Sequence, residues 1–298
     1  VTAPEIRRRL KARANELGLD FQQALQYYAM ERFLYRLSMT PWCEKFVVKG
    51  AVMLRVWDAA IARPTRDIDF LGRIDNTPAA VRTVVKDCLA LEVDDGLIFS
   101  PEVTAEQITV EDRSPGVGAR IRGDLSGARF TLRLDIGIDD ATVPEPAWVY
   151  YPTLLNELVP HILAYQPPTA VAEKYEAMVN LGLVNSRLKD FYDIWMLAQT
   201  LSFDGRELAA ALSATFSRRQ TDLPAEAPVA LTDEFTGQPA TATMWRTYRR
   251  TLAASNIEVP ETLEEVVSVI NRFIMPAAVA AATGVPFEKS WKPNSGWL

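Results

Sequence analysis

The chain has 298 residues, 48% of them hydrophobic and 23% charged, so it can bury a substantial core and has no composition for disorder. Two cysteines cannot form a disulfide framework, and one histidine with two cysteines leaves too few ligands for an ordinary zinc site or for Ser-His or Cys-His catalysis. The net charge of −6 excludes a surface coated in basic residues, although a local basic groove remains compatible with it.

The N-terminal stretch VTAPEIRRRL carries no apolar run of the signal-peptide kind, and no segment reads as long and apolar enough to span a membrane. A soluble, cytoplasmic protein with no membrane partner is therefore expected. Two helices are predicted between Pro4 and Leu37. The first is basic (Arg7, Arg8, Arg9, Lys11, Arg13), ordinarily a solvated face and otherwise a nucleic-acid contact. The second starts at Asp20 as N-cap and buries a stripe of Phe21, Leu25, Ala29, Phe33 and Leu37. Phe46-Val47-Val48 reads as a buried strand that ends at Lys49-Gly50, and Ala51 to Trp57 has the composition of a helix packed on it. After a loop containing Arg63, Pro64 and Arg66, Arg66-Asp67-Ile68-Asp69-Phe70 alternates as a second strand. Asp67 and Asp69 then share one face while Ile68 and Phe70 face the core. Taken alone, the pair is better explained by a solvated strand face. Two adjacent carboxylates nevertheless repel unless a cation sits between them, and Mg²⁺ is the favoured hard ion.

Thr77 caps a predicted helix from Pro78 to Leu91, and strands follow over Ile108–Glu111, Val117–Arg122 and Ala128–Ile138, the last two joined by a Gly123–Gly127 hairpin. In the last strand Phe130, Leu132, Leu134, Ile136 and Ile138 share a face, and Arg129, Thr131, Arg133 and Asp135 share the other. Asp135 is thus a third candidate carboxylate, with Asp139 and Asp140 as weaker alternatives. Prolines crowd the chain from Pro144 to Pro168, which suggests a subdomain boundary there. His161 in that stretch reads as a surface or packing residue. Beyond it the chain is predicted to be helical: Thr169 to Leu181, a helix capped by Ser186, Gly205 to Phe216, Met244 to Ala253 and Glu261 to Ile274. Lys174 interrupts an apolar stripe of Val171, Met178 and Leu181. Such a lysine ordinarily snorkels to water, in which case Met would replace it at little cost; alternatively it reaches phosphates. Arg218-Arg219, and Arg246 with Arg249-Arg250 near Trp245 and Tyr248, read equally as solvated helix faces or as a nucleic-acid surface. The tail from Pro286 to Leu298 carries scattered aromatics and no legible chemistry.

A Gly-terminated strand leading into a helix, a basic loop and then Asp67-Ile68-Asp69 resembles the core of polymerase-β-type nucleotidyltransferases. More specifically, the run from Tyr28 through KGAVML to RPTRDIDF, with RLDIGI (Arg133–Ile138), AEKYEAMVNLG (Ala172–Gly182) and NSRLKDFYDIW (Asn185–Trp195), resembles the AbiEii/AbiGii toxin family of type IV toxin–antitoxin and abortive-infection systems. The resemblance spans about Leu19 to Ile274. It implies an α/β (α+β) fold: N-terminal helices over 1–45, a polymerase-β-like core with a short mixed sheet over 46–160, and a mainly helical C-terminal domain over 161–298 that closes over the nucleotide. It implies that Asp67, Asp69 and Asp135 hold one or two Mg²⁺, and that Lys174 and Asp190 are the family's essential downstream lysine and aspartate. Lys49, Gly50, Ala51, Arg66, Lys174, Arg187 and Lys189 would handle the NTP. One departure is Gly50-Ala51, where the signature has Gly-Ser or Gly-Gly. A lost serine hydroxyl removes one phosphate hydrogen bond of about 1 kcal/mol, while the backbone N–H donors stay.

By the same resemblance the chain transfers NMP from an NTP to an RNA end, the 3′ end of tRNA being the implied acceptor, and has a cognate antitoxin protein. An acceptor hydroxyl on a protein, or a non-catalytic nucleotide- or RNA-binding role, are the alternative expectations.

Overall fold

The computed structural model describes all residues except 58–62, 111–113, 139 and 254–256. The described residues form two compact units. One holds the chain up to Ala164 apart from Asp140–Pro146; the other holds Asp140–Pro146 and Tyr165–Leu298.

The first unit begins with helices α1 (Ala3–Glu16) and α2 (Phe21–Ser38). Asp20 caps α2 as expected, its Oδ1 accepting from Gln23 N at 3.0 Å. A mixed seven-stranded sheet follows, made of β1 (Phe46–Lys49), β2 (Asp67–Gly72), β3 (Ile98–Val110), β4 (Ser114–Leu125), β5 (Ala128–Gly137), β6 (Ala147–Tyr150) and β7 (His161–Ala164), with helix α3 (Pro78–Leu89) between β2 and β3. The strand order is β3-β4-β5-β2-β1-β7-β6. β2 runs parallel to β5 and β1 parallel to β7, and the remaining pairs are antiparallel. Alternation places Ile68, Phe70, Leu132, Leu134 and Ile136 in the core with α2. The β4–β5 hairpin turns on Ser126-Gly127, both with positive φ, as a two-residue turn that matches strand twist requires.

Two sequence-based expectations change in this unit. The apolar run after Lys49 is not an α-helix but a 3-10 turn over Gly50–Arg55, with Val52, Met53 and Leu54 buried. The strand expected from Ile108 begins at Ile98 and carries Pro101, which is tolerated because β3 is a sheet edge; Glu111 lies outside the described residues. His161 is exposed and stacks on the rings of Tyr150 and Trp148, with centroids at 4.6 and 5.1 Å.

The second unit contains α4 (Pro167–Leu181), α5 (Leu188–Thr200), β8 (Phe203–Asp204), α6 (Gly205–Arg219), α7 (Asp233–Thr236), α8 (Pro239–Ala253), α9 (Leu263–Thr283), β9 (Ser290–Lys292) and β10 (Gly296–Trp297). The tail is structured after all. β8, β9 and β10 form a small sheet in which Trp291 and Trp297 pack on Phe273, and Trp291 Nε1 donates to Ala198 O at 2.7 Å. Ser186 does not cap α5: Asn185 Oδ1 instead accepts from Arg187 N at 2.8 Å. Helix α9 runs past Ile274 and through Pro276, because Ala277, Ala278 and Ala280 continue its buried face. At 21 residues it is, by length and composition, long and apolar enough to cross a membrane, contrary to the sequence reading. Half of its apolar window is buried against the rest of the unit.

Candidate functional site

In the first unit the candidate residues converge through strand register. Lys49 on β1 pairs with Asp69 on β2, and Asp69 pairs in turn with Asp135 on β5. Registered neighbours project to the same side of a sheet, so Lys49, Asp69 and Asp135 stand in a row across three strands. Asp67 lies two residues before Asp69 on that face. Both aspartates of β2 are half-buried, whereas the intervening Ile68 is fully buried. Lys49 is only 3% exposed.

Gly50 explains why the strand ends where it does. Its φ is +74°, and a Cβ built there would fall 1.9 Å from Asp69 Oδ2. Only glycine therefore lets the Asp69 carboxylate lie against the backbone at this turn. A second glycine, Gly118 on β4, is registered with Asp135, and a Cβ there would meet Ile108 Cγ2 at 3.1 Å and the Asp135 carboxylate at 3.5 Å. Sequence reasoning missed Gly118, since a strand glycine acquires meaning only once its partner is known. Ala51 is buried next to Gly50. Arg66 is exposed, and its carbonyl is fixed by Gln26 Nε2 at 3.0 Å.

The donor set of Asp69, Asp135 and Asp67 is hard oxygen on a partly exposed face, which fits a divalent cation such as Mg²⁺. Among the described residues, no three Asp, Glu, His or Cys side chains are drawn into one tight ligand cluster. Asp67 Oδ1 is 3.6 Å from Arg133 Nε on the registered position of β5. Of the weaker alternatives, Asp139 lies outside the described residues. Asp140 is committed to an ion pair in the second unit, its Oδ1 2.9 Å from Arg219, which also reaches Glu176 at 3.0 Å and Glu173 at 3.6 Å.

Behind the Gly50 turn is a buried charge pair that the sequence did not reveal. Arg55 closes the 3-10 segment, lies over the ring of Tyr27 at 4.6 Å, and is 3.3 Å from Glu31 Oε1 on α2. Glu31 also accepts from Leu154 N at 3.0 Å. Burial pushes its carboxyl up to about 7, against the opposing pull of Arg55.

In the second unit, Lys174 on α4 does not snorkel. Its Nζ is 3.0 Å from Asp190 Oδ1 and 2.8 Å from Asp193 Oδ2, and those carboxylates are 1% and 0% exposed. Arg187 Nε reaches the other oxygen of Asp190 at 2.6 Å. Asp190 therefore bridges two cations, and the lysine that interrupts the apolar stripe belongs to a buried ionic network. Asp193 is the member that sequence reasoning missed. It follows Asp190 by three residues, a spacing that places both on one face of α5. Lys189 is exposed at the start of α5.

A search of the curated proteins finds no match to the chain. Two solved structures share its fold: a Helicobacter pylori protein classed as a nucleotidyltransferase (16% identity, TM-score 0.51, covering 90% of this chain and 97% of that one) and JHP933, also from Helicobacter pylori (17% identity, TM-score 0.50, covering 89% and 94%). The family model described as nucleotidyl transferase AbiEii toxin, type IV toxin–antitoxin system, matches residues 32–269. That span takes in both the carboxylate face and the Lys174 network, and the chain belongs to the AbiEii family of nucleotidyltransferase toxins.

Proposed function

We propose that this toxin transfers a nucleoside monophosphate from an NTP to an RNA 3′ end, with tRNA as the acceptor and arrested translation as the consequence. Membership of the family implies a nucleotide substrate and an antitoxin partner; the acceptor and the roles of individual residues are our reading. The observation that carries the transfer chemistry is the row of Lys49, Asp69 and Asp135 beside a glycine turn against which the Asp69 carboxylate lies.

In this reading Asp67, Asp69 and Asp135 would hold one or two Mg²⁺, which supply charge neutralisation for the triphosphate and the leaving pyrophosphate. The turn at Gly50-Ala51 opens a 3-10 segment, whose N-terminus is the part proposed to face a phosphate. Arg66, exposed at the entrance to β2, neutralises phosphate charge. The acceptor hydroxyl oxygen bonds to the α-phosphorus as the α–β phosphate bond breaks, and its proton passes toward Asp135. Lys174, Asp190, Arg187 and Lys189 are the nucleotide-handling groups proposed for the helical unit, with Asp190 fixing Lys174.

Incubation with each radiolabelled NTP, total RNA and a cell lysate tests the acceptor. Label in RNA at a 3′ end supports the reading. Label in protein would replace it with protein NMP-transfer, and no label in either fraction would leave a binding role.

A further inference from the structure

Helix α8 carries Arg246, Arg249 and Arg250 and, over its fifteen residues, no aspartate or glutamate. In a chain of net charge −6 such a segment concentrates positive potential locally. One face of α8 and the first turn of α5 enclose a cleft of about 530 Å³. Leu188, Met244 and Tyr248 make its floor, with the methyl groups of Thr243 and Thr247, while Arg187 and Lys189 stand on the α5 side. The threonine hydroxyls donate to carbonyls of their own helix, Thr243 to Pro239 O at 2.8 Å and Thr247 to Thr243 O at 3.0 Å. They therefore offer the cleft methyl groups and lone pairs rather than donors. Tyr248 is held from behind by edge contact with Tyr192 and by Trp245.

At 100° per residue, Arg246 and Arg250 flank the Thr243–Thr247 edge of this face, and Arg249 turns away to donate to Glu261 O. Arg246 is tied to the cleft directly, its guanidinium donating to Thr243 Oγ1 at 3.1 Å. An apolar slot with an aromatic wall, rimmed by cations on two helices, combines a stacking surface with a backbone track. Arg246 and Arg250 are about 6 Å apart along the helix axis, so the charge extends beyond one phosphate group. That extent favours a strand over a mononucleotide, and the absence of acids on α8 favours a polyanion over a protein surface.

We propose that the α5–α8 cleft seats an unpaired nucleotide of a single-stranded RNA, its base against Tyr248 and its backbone along Arg246 and Arg250. The assignment rests on the RNA acceptor argued above and adds where the strand is gripped. Fluorescence anisotropy of a labelled, unstructured RNA oligonucleotide on the full chain tests it, with titration of Mg²⁺–NTP alongside. Thr247→Glu places a carboxylate in the slot at an exposed helical position, and should weaken RNA binding about tenfold, the loss of one stacked base. The double variant Arg246→Gln, Arg250→Gln should lower the salt slope of binding by about 1.4, two phosphate contacts of a single strand. Both variants should bind NTP as the wild type does.

Wild-type RNA binding with neither variant altered would overturn the cleft and leave the acceptor reading intact. A loss of NTP affinity with RNA binding unchanged would make the cleft a mononucleotide seat and overturn the proposal. No RNA binding by the wild type would remove the RNA acceptor itself, and the cleft assignment with it. Should Thr247→Glu disturb helix content by circular dichroism, the arginine pair alone decides.

Discussion

Lys174→Met asks how much of the helical unit depends on one ammonium group. Methionine follows the lysine stem closely, so packing along α4 is preserved. What goes is the charge facing Asp190 at 3.0 Å and Asp193 at 2.8 Å, on carboxylates 1% and 0% exposed. Taking one partner from a buried ion pair costs about 3–5 kcal/mol. Lys174 keeps 14% exposure and Arg187 stays on Asp190 at 2.6 Å, which moves the expectation to the low end, about 3 kcal/mol. This reverses the expectation that a stripe lysine can become methionine at little cost. Hydrogen exchange followed over α4 and α5 reads the effect locally, and about 3 kcal/mol corresponds to roughly a hundredfold faster exchange. Adding Asp193→Asn should recover part of the loss, since the second change removes the buried charge that the first exposed. Exchange in Lys174→Met no faster than in wild type would refute the ionic account and return Lys174 to a peripheral role.

Three further outcomes follow from the first unit. Expression of the wild type should arrest growth and Asp69→Ala should not, scored as colony counts after induction; equal arrest would place the harm outside nucleotide transfer. Gly50→Ala meets Asp69 Oδ2 at 1.9 Å in a left-handed conformation, and should lose transfer in a labelled-NTP assay as Asp69→Ala does, with a backbone cost of about 1–2 kcal/mol by urea denaturation. Glu31 has a folded value of about 7 against an ordinary 4.5, so between those pH values the folded state keeps a proton that the unfolded state releases. Its contribution to stability is therefore present below about pH 4.5 and lost as pH rises through 7, and at about 1.36 kcal/mol per pH unit the change is about 3 kcal/mol. Wild-type stability relative to Glu31→Gln should fall by that amount from pH 4.5 to 8 in urea titrations, and a rise would show the sign to be wrong.

Period-two alternation made β2 and β5 legible, because a strand with one buried face must segregate Ile68 and Phe70 from Asp67 and Asp69. Composition alone was a poorer guide where several backbone conformations bury the same side chains. The run after Lys49 buries Val52, Met53 and Leu54 whether it coils as an α-helix or a 3-10 turn. The tail strands, of two and three residues, are too short to show any period, and owe their place to Trp291 and Trp297 meeting Phe273 across the unit.

The limit is clearest at the charged residues, where spacing reports a face and says nothing of a partner. Lys174 sits on the buried stripe that helical spacing predicts, yet the groups that make that position tolerable, Asp190 and Asp193, belong to the next helix. Read together, the two aspartates three residues apart already held the signal, since a face of α5 presenting two carboxylates inward requires a cation from whatever packs on it. The same reasoning applies to Glu31, which lies on the most buried face of α2 and finds Arg55 only because the Gly50 turn brings that residue back. In both units, then, a buried acid in an otherwise apolar helix face points to a cation on a neighbouring element, and in both that cation lies within a few residues of the chain proposed to handle nucleotide.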